Sequence, residues 1–378
     1  MDSMQDTTTI ERMLLDQAKR TGTPANGSIE LLPLCNMNCD MCYVRLSREE
    51  MERQGRLRTA DEWLEIGRQM QEAGVLFLLL TGGEPFLFPD FRRLYLGLRK
   101  MGMILTINTN GTLIDEDLAA FLGKNKPRRV NITLYGTEEK TYADLCHYPG
   151  GFEKTMNGIR LLRKHGVDVK IGGSLAKANR GDLDRLLDLG EELGVPVRVD
   201  TYMMPAVRER TQPYDLQARL NPEDAAQARI HALKREMGPE LFAKYTEESI
   251  RGAEQPEPAE AKPGRMACLA GQCSFTINWQ GEMRPCVILT SPAVSVFEKG
   301  FRAAWQQIAE ETGKIRLSAK CSACSVRHLC RTCAASALLE EGSYDSVPEY
   351  MCRYTEESLR ILREEWEKIQ NGQDISDR

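Results

Sequence analysis

Short apolar runs recur between residues 29 and 203, and amphipathic stretches separate them. The runs are "IELLPL" (29–34), "VLFLLL" (75–80), "MILTIN" (103–108), "RVNITLY" (129–135), "VDVKIGGSL" (167–175) and "VPVRVDTYM" (195–203). Helical periodicity fills the gaps at 59–73, 89–101, 115–124, 151–165 and 179–193. Continuous apolar runs of strand length, alternating with helices, predict a parallel sheet covered by helices. Six such β/α units predict an α/β fold, a partial (β/α)6 TIM-type barrel, with its chemistry where strands end and loops begin.

The pattern changes after residue 205. A helical stretch near 222–247 runs into "GAEQPEPAEAKPG" (252–264), whose proline and glycine read as a linker. A cysteine-dense segment follows, and a charged amphipathic helix near 354–370 ends the pattern. The expected divisions are an N-terminal extension (1–28), the barrel (29–205), a helical linker region (206–265), a C-terminal cysteine-rich domain (266–352) and a terminal helix with its tail (353–378).

Composition narrows the setting. The 378 residues are 42% hydrophobic and 28% charged, with a net charge of -5, so no basic field points to nucleic acid. No apolar run approaches the ~18 residues of a membrane span. The polar N-terminus lacks a signal-peptide core. These features predict a cytoplasmic chain without membrane or nucleic-acid partners. In a reducing compartment twelve cysteines argue for metal rather than disulfides.

The first strand runs into "PLCNMNCDMCYVR" (33–45), with Cys35, Cys39 and Cys42 and no fourth ligand nearby. Zinc takes four ligands in structural sites, or three with histidine common in catalytic ones. A bare triplet of thiolates suits a cubane iron–sulfur cluster with one iron left open. A zinc site completed from elsewhere, or three incidental buried cysteines, would share the spacing. The second strand ends "LLLTGGEPFL", with Gly82, Gly83, Glu84 and Pro85. Two glycines allow close backbone approach to a ligand, and an acidic side chain can receive an ammonium group. A plain glycine turn would look the same in isolation.

Together, "CNMNCDMC" and "TGGEP" resemble the signature of the radical S-adenosylmethionine (SAM) superfamily, over about residues 28–205. The resemblance implies that Cys35, Cys39 and Cys42 hold a [4Fe–4S] cluster whose open iron chelates SAM. It implies that Glu84 and the Gly82–Gly83 backbone receive the SAM amine. It also implies reductive cleavage of SAM to a 5′-deoxyadenosyl radical, which abstracts a substrate hydrogen. Other strand ends offer cofactor contacts: Asn108 and Asn110 in "TINTNGT", Thr133 in "NITLYGT", and Gly172, Gly173 and Ser174 in "KIGGSLAKAN". Ordinary turn chemistry would also place polar residues there.

Eight further cysteines lie at 268, 273, 286, 321, 324, 330, 333 and 352, with Cx2Cx5Cx2C at 321–333 and "GEMRPC" before it. Eight thiols suffice for two clusters, although a pair of zinc ribbons would also use them. This half resembles the SPASM domain, an auxiliary-cluster extension of radical SAM enzymes, with a final internal spacing of two where the family has three. By that resemblance Cys268, Cys273, Cys286 and Cys333 hold one auxiliary [4Fe–4S] cluster. Cys321, Cys324, Cys330 and Cys352 hold the other, making three clusters in all. Without Cys273 the first auxiliary cluster would keep an open iron.

Cys146, in "YADLCHYPGG", is the twelfth cysteine. It is expected on the SAM face after the fourth strand, either as an idle loop thiol or as a substrate-side acid or hydrogen-atom donor. SPASM relatives modify peptides and proteins, or build quinone cofactors and haem. Sulfatase maturation typically uses an aspartate after the GxxxxC cysteine. Here Val287 stands there, with Asp144 or Asp200 as substitutes. The expected substrate is a ribosomally made peptide, cross-linked through a thioether or carbon bond or otherwise oxidised. The 28 residues ahead of the first strand are too few for a leader-recognition domain, which makes a separate leader-binding protein an expected partner. Flavodoxin or ferredoxin is the expected electron donor. A small-molecule substrate such as a tetrapyrrole, and a non-catalytic iron–sulfur or zinc protein, are the competing expectations.

Overall fold

The structure, a computed structural model, describes residues 8–204, 219–255, 263–330 and 332–372. Strands β1 (Asn26–Glu30), β2 (Phe77–Thr81), β3 (Ile104–Thr109), β4 (Arg129–Thr133), β5 (Val169–Ser174) and β6 (Val197–Asp200) pair in sequence order, all parallel. Helices α1 (Thr9–Thr21), α2 (Arg48–Gln54), α3 (Ala60–Ala73), α4 (Phe91–Lys100), α5 (Glu116–Lys124), α6 (Glu139–Cys146), α7 (Gly151–Lys164) and α8 (Leu183–Leu193) precede or connect them. This is the expected α/β partial barrel.

Alternation along the strands assigns the two faces. Leu78 and Leu80, Leu105 and Ile107, and Val130 and Ile132 are buried beneath the helices. Between them Leu79, Thr106, Asn108, Asn131 and Thr133 are half-buried and form the inner face. Helix α3 shows how the outer layer is held. Thr59 and Glu62 form a reciprocal capping box, a device whose loss costs about 1 kcal/mol. Trp63, Ile66 and Met70 recur on one face and are fully buried. Trp63→Ala would cost about 3–5 kcal/mol through the cavity it leaves.

The cysteine-rich segment is not a detached module. Strand β7 (Ser274–Ile277) pairs parallel with β1, and β8 (Glu282–Arg284) and β9 (Val294–Ser295) continue antiparallel beyond it. Among the described residues one nine-stranded sheet therefore runs β6-β5-β4-β3-β2-β1-β7-β8-β9. Helices α9 (Pro222–Glu254), α10 (Val296–Lys299), α11 (Phe301–Lys314), α12 (Ala319–Ser322), α13 (Ala334–Glu341) and α14 (Glu349–Gln370) complete the chain. Phe297 of α10 meets Trp63 edge-on at 5.3 Å, joining this region to the barrel's outer layer. Helices α9 and α14 pack together, and Lys234 pairs with Glu365 at 2.9 Å in a largely buried contact. The expected helix at 222–247 is α9. Most of the Pro/Gly stretch at 252–264 lies outside the described residues.

No helix among the described residues is long and apolar enough to cross a membrane.

Candidate functional site

The C-terminal ends of the parallel strands gather the predicted residues. Beyond β1 the chain continues buried through Leu31 and Leu32 into the three-cysteine loop. The GGEP turn after β2 is bonded to this lead-in: Gly83 N donates to Leu32 O at 2.7 Å, and Glu84 N to Leu34 O at 2.9 Å. A Cβ on Gly82 would stand 2.5 Å from Leu32 O, and one on Gly83 2.2 Å from Leu34 O. Gly82 also has φ +140°. The glycines are therefore needed for the approach of two backbone segments, where the sequence pointed to the approach of a ligand.

Glu84 also departs from expectation. Its carboxylate is fully buried and accepts from the Thr109 hydroxyl, Asn110 N at 2.9 Å and Phe86 N at 3.1 Å. Burial pushes this carboxyl up to about 7, opposed by the Asn110 and Phe86 amides and the Thr109 hydroxyl. The side chain expected on the SAM ammonium instead anchors the β3 end to the β2 end. Pro85 is buried and opens the short turn behind it.

Asn110 then reaches the cysteine loop. Its Nδ2 donates to Asn36 Oδ1 at 2.9 Å and approaches Cys35 Sγ at 3.7 Å. Its Oδ1 accepts from Thr112 N and from the Thr112 hydroxyl. Asn108 faces the barrel interior and accepts from Asn131 Nδ2 at 2.8 Å. Thr133 pairs with Gly172 across β4 and β5. A Cβ on Gly172 would meet nothing closer than the Ile132 carbonyl at 4.0 Å, so the backbone beside Thr133 is uncrowded. Gly173 faces the helices, with Leu186 and Val199 as its nearest neighbours. The Ser174 carbonyl is held by Asn179, which also donates to Tyr135 O and so ties the β4 and β5 loops together.

The cysteine loop is clamped from outside by α6. Asn38 N donates to Cys146 O and Asp40 N to Leu145 O, both at 3.0 Å, on either side of Cys39. His147, the left-handed C-cap, meets Asp40 at 2.7 Å. The Cys146 side chain hydrogen-bonds Cys39 and, with burial, holds the Cys39 thiol well above its ordinary range, while the Tyr135 hydroxyl acts in the opposite sense. Cys146 lies at the end of α6 against the three-cysteine loop. It is enclosed behind Cys39, however, with no exposed surface of its own.

Do these thiols fit an iron–sulfur cluster? Among the described residues no three His, Cys, Asp or Glu side chains converge as a single ion requires. Cubane ligands need not converge, because each binds a different iron. Cys35 Sγ accepts Met37 N at 3.4 Å and Cys42 Sγ accepts Arg45 N at 3.3 Å. Cys286 and Cys330 accept Leu289 N and Thr332 N in the same way. Such bonds support the charge of a ligating thiolate. Burial pushes the Cys35 thiol up to about 12, and Cys39 and Cys42 add to it, so deprotonation here depends on a bound cation. The donor set fits a cluster.

The C-terminal thiols form two groups. Cys352 is raised by burial to about 11 and faces Cys330, Cys321 and Cys324. Cys286, also raised by burial, faces Cys333 and Cys268. Cys273 stands apart: fully buried, it directs its Sγ to Leu15 O of α1 at 3.8 Å, and Ala18, Ala25 and Leu269 surround it. Its thiol is raised by burial to about 11 and has Lys19 and Asp16 as its charged neighbours ahead of Cys268. Asp144 is ion-paired with Lys140, and Asp200 with Arg198.

Sequence reasoning did not single out Asn36, Thr109, Tyr135 or Asn179. All four lie in or beside the quoted motifs, but their roles depend on contacts between loops.

Residues 29–190 match the radical SAM superfamily. The AdoMet-dependent heme synthase of Methanosarcina barkeri is 27% identical over 338 residues, spanning 86% of this chain and 95% of its own length. The crystal structure of Streptococcus suis SuiB bound to precursor peptide SuiA superposes with a TM-score of 0.64 at 20% identity, over 91% of this chain and 80% of SuiB. Native anSMEcpe with bound AdoMet and Kp18Cys peptide gives a TM-score of 0.65 at 17% identity, over 92% of this chain and 99% of that one. The matched span holds both the three-cysteine loop and the GGEP turn, and the cysteine-rich region extends the same sheet: this chain is an enzyme that carries a radical SAM domain over residues 29–190.

Proposed function

We propose that this enzyme modifies a ribosomally made peptide. The observation that carries this reading is the continuity of the cysteine-rich region with the barrel, through β7 paired to β1, the strand that leads into the three-cysteine loop. Two of the solved structures that share this fold over most of the chain, SuiB with SuiA and anSMEcpe with Kp18Cys, were determined with a peptide bound. Cys35, Cys39 and Cys42 would hold a [4Fe–4S] cluster, and residues at the ends of β2 to β5 would hold SAM. When bound, these groups supply an electron and a 5′-deoxyadenosyl radical that takes a substrate hydrogen.

The chain's own residues position that chemistry. The buried Glu84–Thr109–Asn110 junction ties the strand ends to the cysteine loop, and the backbone of the Gly82–Gly83 turn would receive the SAM amine. Thr133, Gly172 and Ser174 line the adenosine side. Cys146 supports Cys39 and does not meet the substrate. Cys268, Cys286 and Cys333 hold one auxiliary cluster, and Cys321, Cys324, Cys330 and Cys352 the other. A low-potential carrier of the flavodoxin or ferredoxin type, in a reducing cytoplasm, delivers the electron.

A tetrapyrrole substrate is the second reading, favoured by the heme synthase relative, which aligns over nearly its whole length. The test is incubation of reconstituted protein with SAM and a reductant, beside either the peptide encoded next to its gene or a tetrapyrrole. Mass loss or deuterium uptake by the peptide supports the first reading. Turnover of the tetrapyrrole alone supports the second.

A further inference from the structure

A buried polar chain leads from one auxiliary thiol back to the barrel. Cys333 is the N-cap of α13, and its Sγ lies 3.6 Å from Ser336 Oγ one turn on. Ser336 has no exposed surface, and its Oγ lies 2.9 Å from the hydroxyl of Tyr202, two residues beyond β6. Tyr202 donates to Glu340 Oε1 at 2.9 Å, which also accepts Arg219 at 3.0 Å. The Arg219 and Glu340 side chains are each only 7% exposed. The Arg219 guanidinium is fixed over the rings of Tyr350, at 3.4 Å, and Tyr202, at 5.1 Å. Met204 Sδ lies beside both hydroxyls as a weak acceptor.

Counting hydrogens gives this chain a function. Tyr202 has one, and the Glu340 carboxylate is the strongest acceptor within its reach. The Tyr202 oxygen is therefore left with lone pairs toward Ser336. Ser336 also has one hydrogen, for which the Tyr202 oxygen and the Cys333 sulfur compete, with the thioether of Met204 as a weaker third acceptor. We propose that Tyr202 and Ser336 set the reduction potential of the auxiliary cluster held by Cys333, by dividing the single Ser336 hydrogen between phenol and sulfur. One electron from a one-electron carrier raises the negative charge on sulfur, and the Ser336 hydroxyl turns toward it. No bond breaks and no proton leaves the chain. A hydrogen bond to a ligating sulfur favours the reduced cluster and raises its potential. Ser336 and Tyr202 are positioning residues in this arrangement, and Glu340 with Arg219 fixes the direction of the chain.

The inference rests on the reading of Cys333 as a cluster ligand, and the test separates the two. Full-length protein carrying Cys35→Ala, Cys39→Ala and Cys42→Ala is reconstituted, leaving only the auxiliary clusters. Redox titration is followed by electron paramagnetic resonance in this background, with Ser336→Ala or Tyr202→Phe added. Ser336→Ala removes the donor and should lower one of the two midpoint potentials. Tyr202→Phe removes the competing acceptor and should raise the same one, leaving the other signal in place. Each shift should change the reduced-to-oxidised ratio roughly three- to tenfold at fixed poise, the scale of one hydrogen bond. Shifts of the same sign, or none with iron intact, overturn the inference alone. Full iron content after Cys333→Ala overturns the ligand reading and the inference with it.

Discussion

The Thr109 hydroxyl lies 2.8 Å from one carboxylate oxygen of Glu84 and 2.9 Å from the other. Its single hydrogen serves both, and Asn110 N and Phe86 N complete the shell. The acidic residue of the GGEP turn thus joins two strand ends, and Asn110 carries that junction on to Asn36 and Cys35.

Glu84→Ala should destabilise the protein by roughly 2–4 kcal/mol, because it leaves buried donors of Thr109, Asn110 and Phe86 without an acceptor. Denaturant unfolding of the metal-free chain reads this directly. Unchanged stability together with a tenfold loss of SAM affinity would instead put the carboxylate on the ammonium.

The same carboxyl predicts a pH dependence. Its folded value of about 7 lies above its ordinary 4.5. Between those values the folded state holds a proton that the unfolded state has released. Stability should therefore fall as pH rises through this window, on the order of 3 kcal/mol in full, and be restored below it. Glu84→Gln does not titrate, so the difference between the two stability–pH curves isolates the effect. A difference curve that is flat from pH 4.5 to 7 contradicts the burial argument.

Iron content tests the separation of Cys273 from its neighbours. Reconstituted protein should hold about twelve irons, at four per cubane. Cys286→Ala should lose about four of them, whereas Cys273→Ala should lose none. Loss of about four irons in the Cys273 variant would show that its thiol turns away from Leu15 to join Cys268, Cys286 and Cys333.

Cys146→Ala should keep its iron and its product stereochemistry, and lose about 1 kcal/mol of stability, since it removes one buried contact with Cys39. Product analysis beside thermal unfolding checks both. A variant of normal stability that stalls with a substrate radical would restore the thiol as a hydrogen-atom donor.

Much of the barrel was legible because its signals are local. The apolar run 75–80 foreshadows β2 at Phe77–Thr81, and the period at 151–165 foreshadows α7 at Gly151–Lys164. The first run misleads by a few residues: "IELLPL" marks buried chain, but the strand ends at Glu30, where the backbone leaves β1 to lie against Gly82 and Gly83. The cofactor motifs were legible for the same reason, as spacings within one loop. What remained hidden depends on contacts distant in sequence. The α6 carbonyls on Asn38 and Asp40 have no local pattern, nor has the Cys273 thiol on Leu15. The union of β7 with β1 brings together segments on opposite sides of the barrel sequence, and strand pairing of that range leaves no mark in periodicity.

The central claim is that a SAM-derived radical takes hydrogen from a peptide. It is tested most directly by reacting the reconstituted enzyme with SAM, a low-potential reductant and the neighbouring peptide made fully deuterated at carbon, and then weighing the 5′-deoxyadenosine produced. The account predicts deoxyadenosine carrying one deuterium, and none in the Cys35, Cys39 and Cys42 to Ala variant. Deoxyadenosine released without deuterium in the presence of the labelled peptide would contradict it.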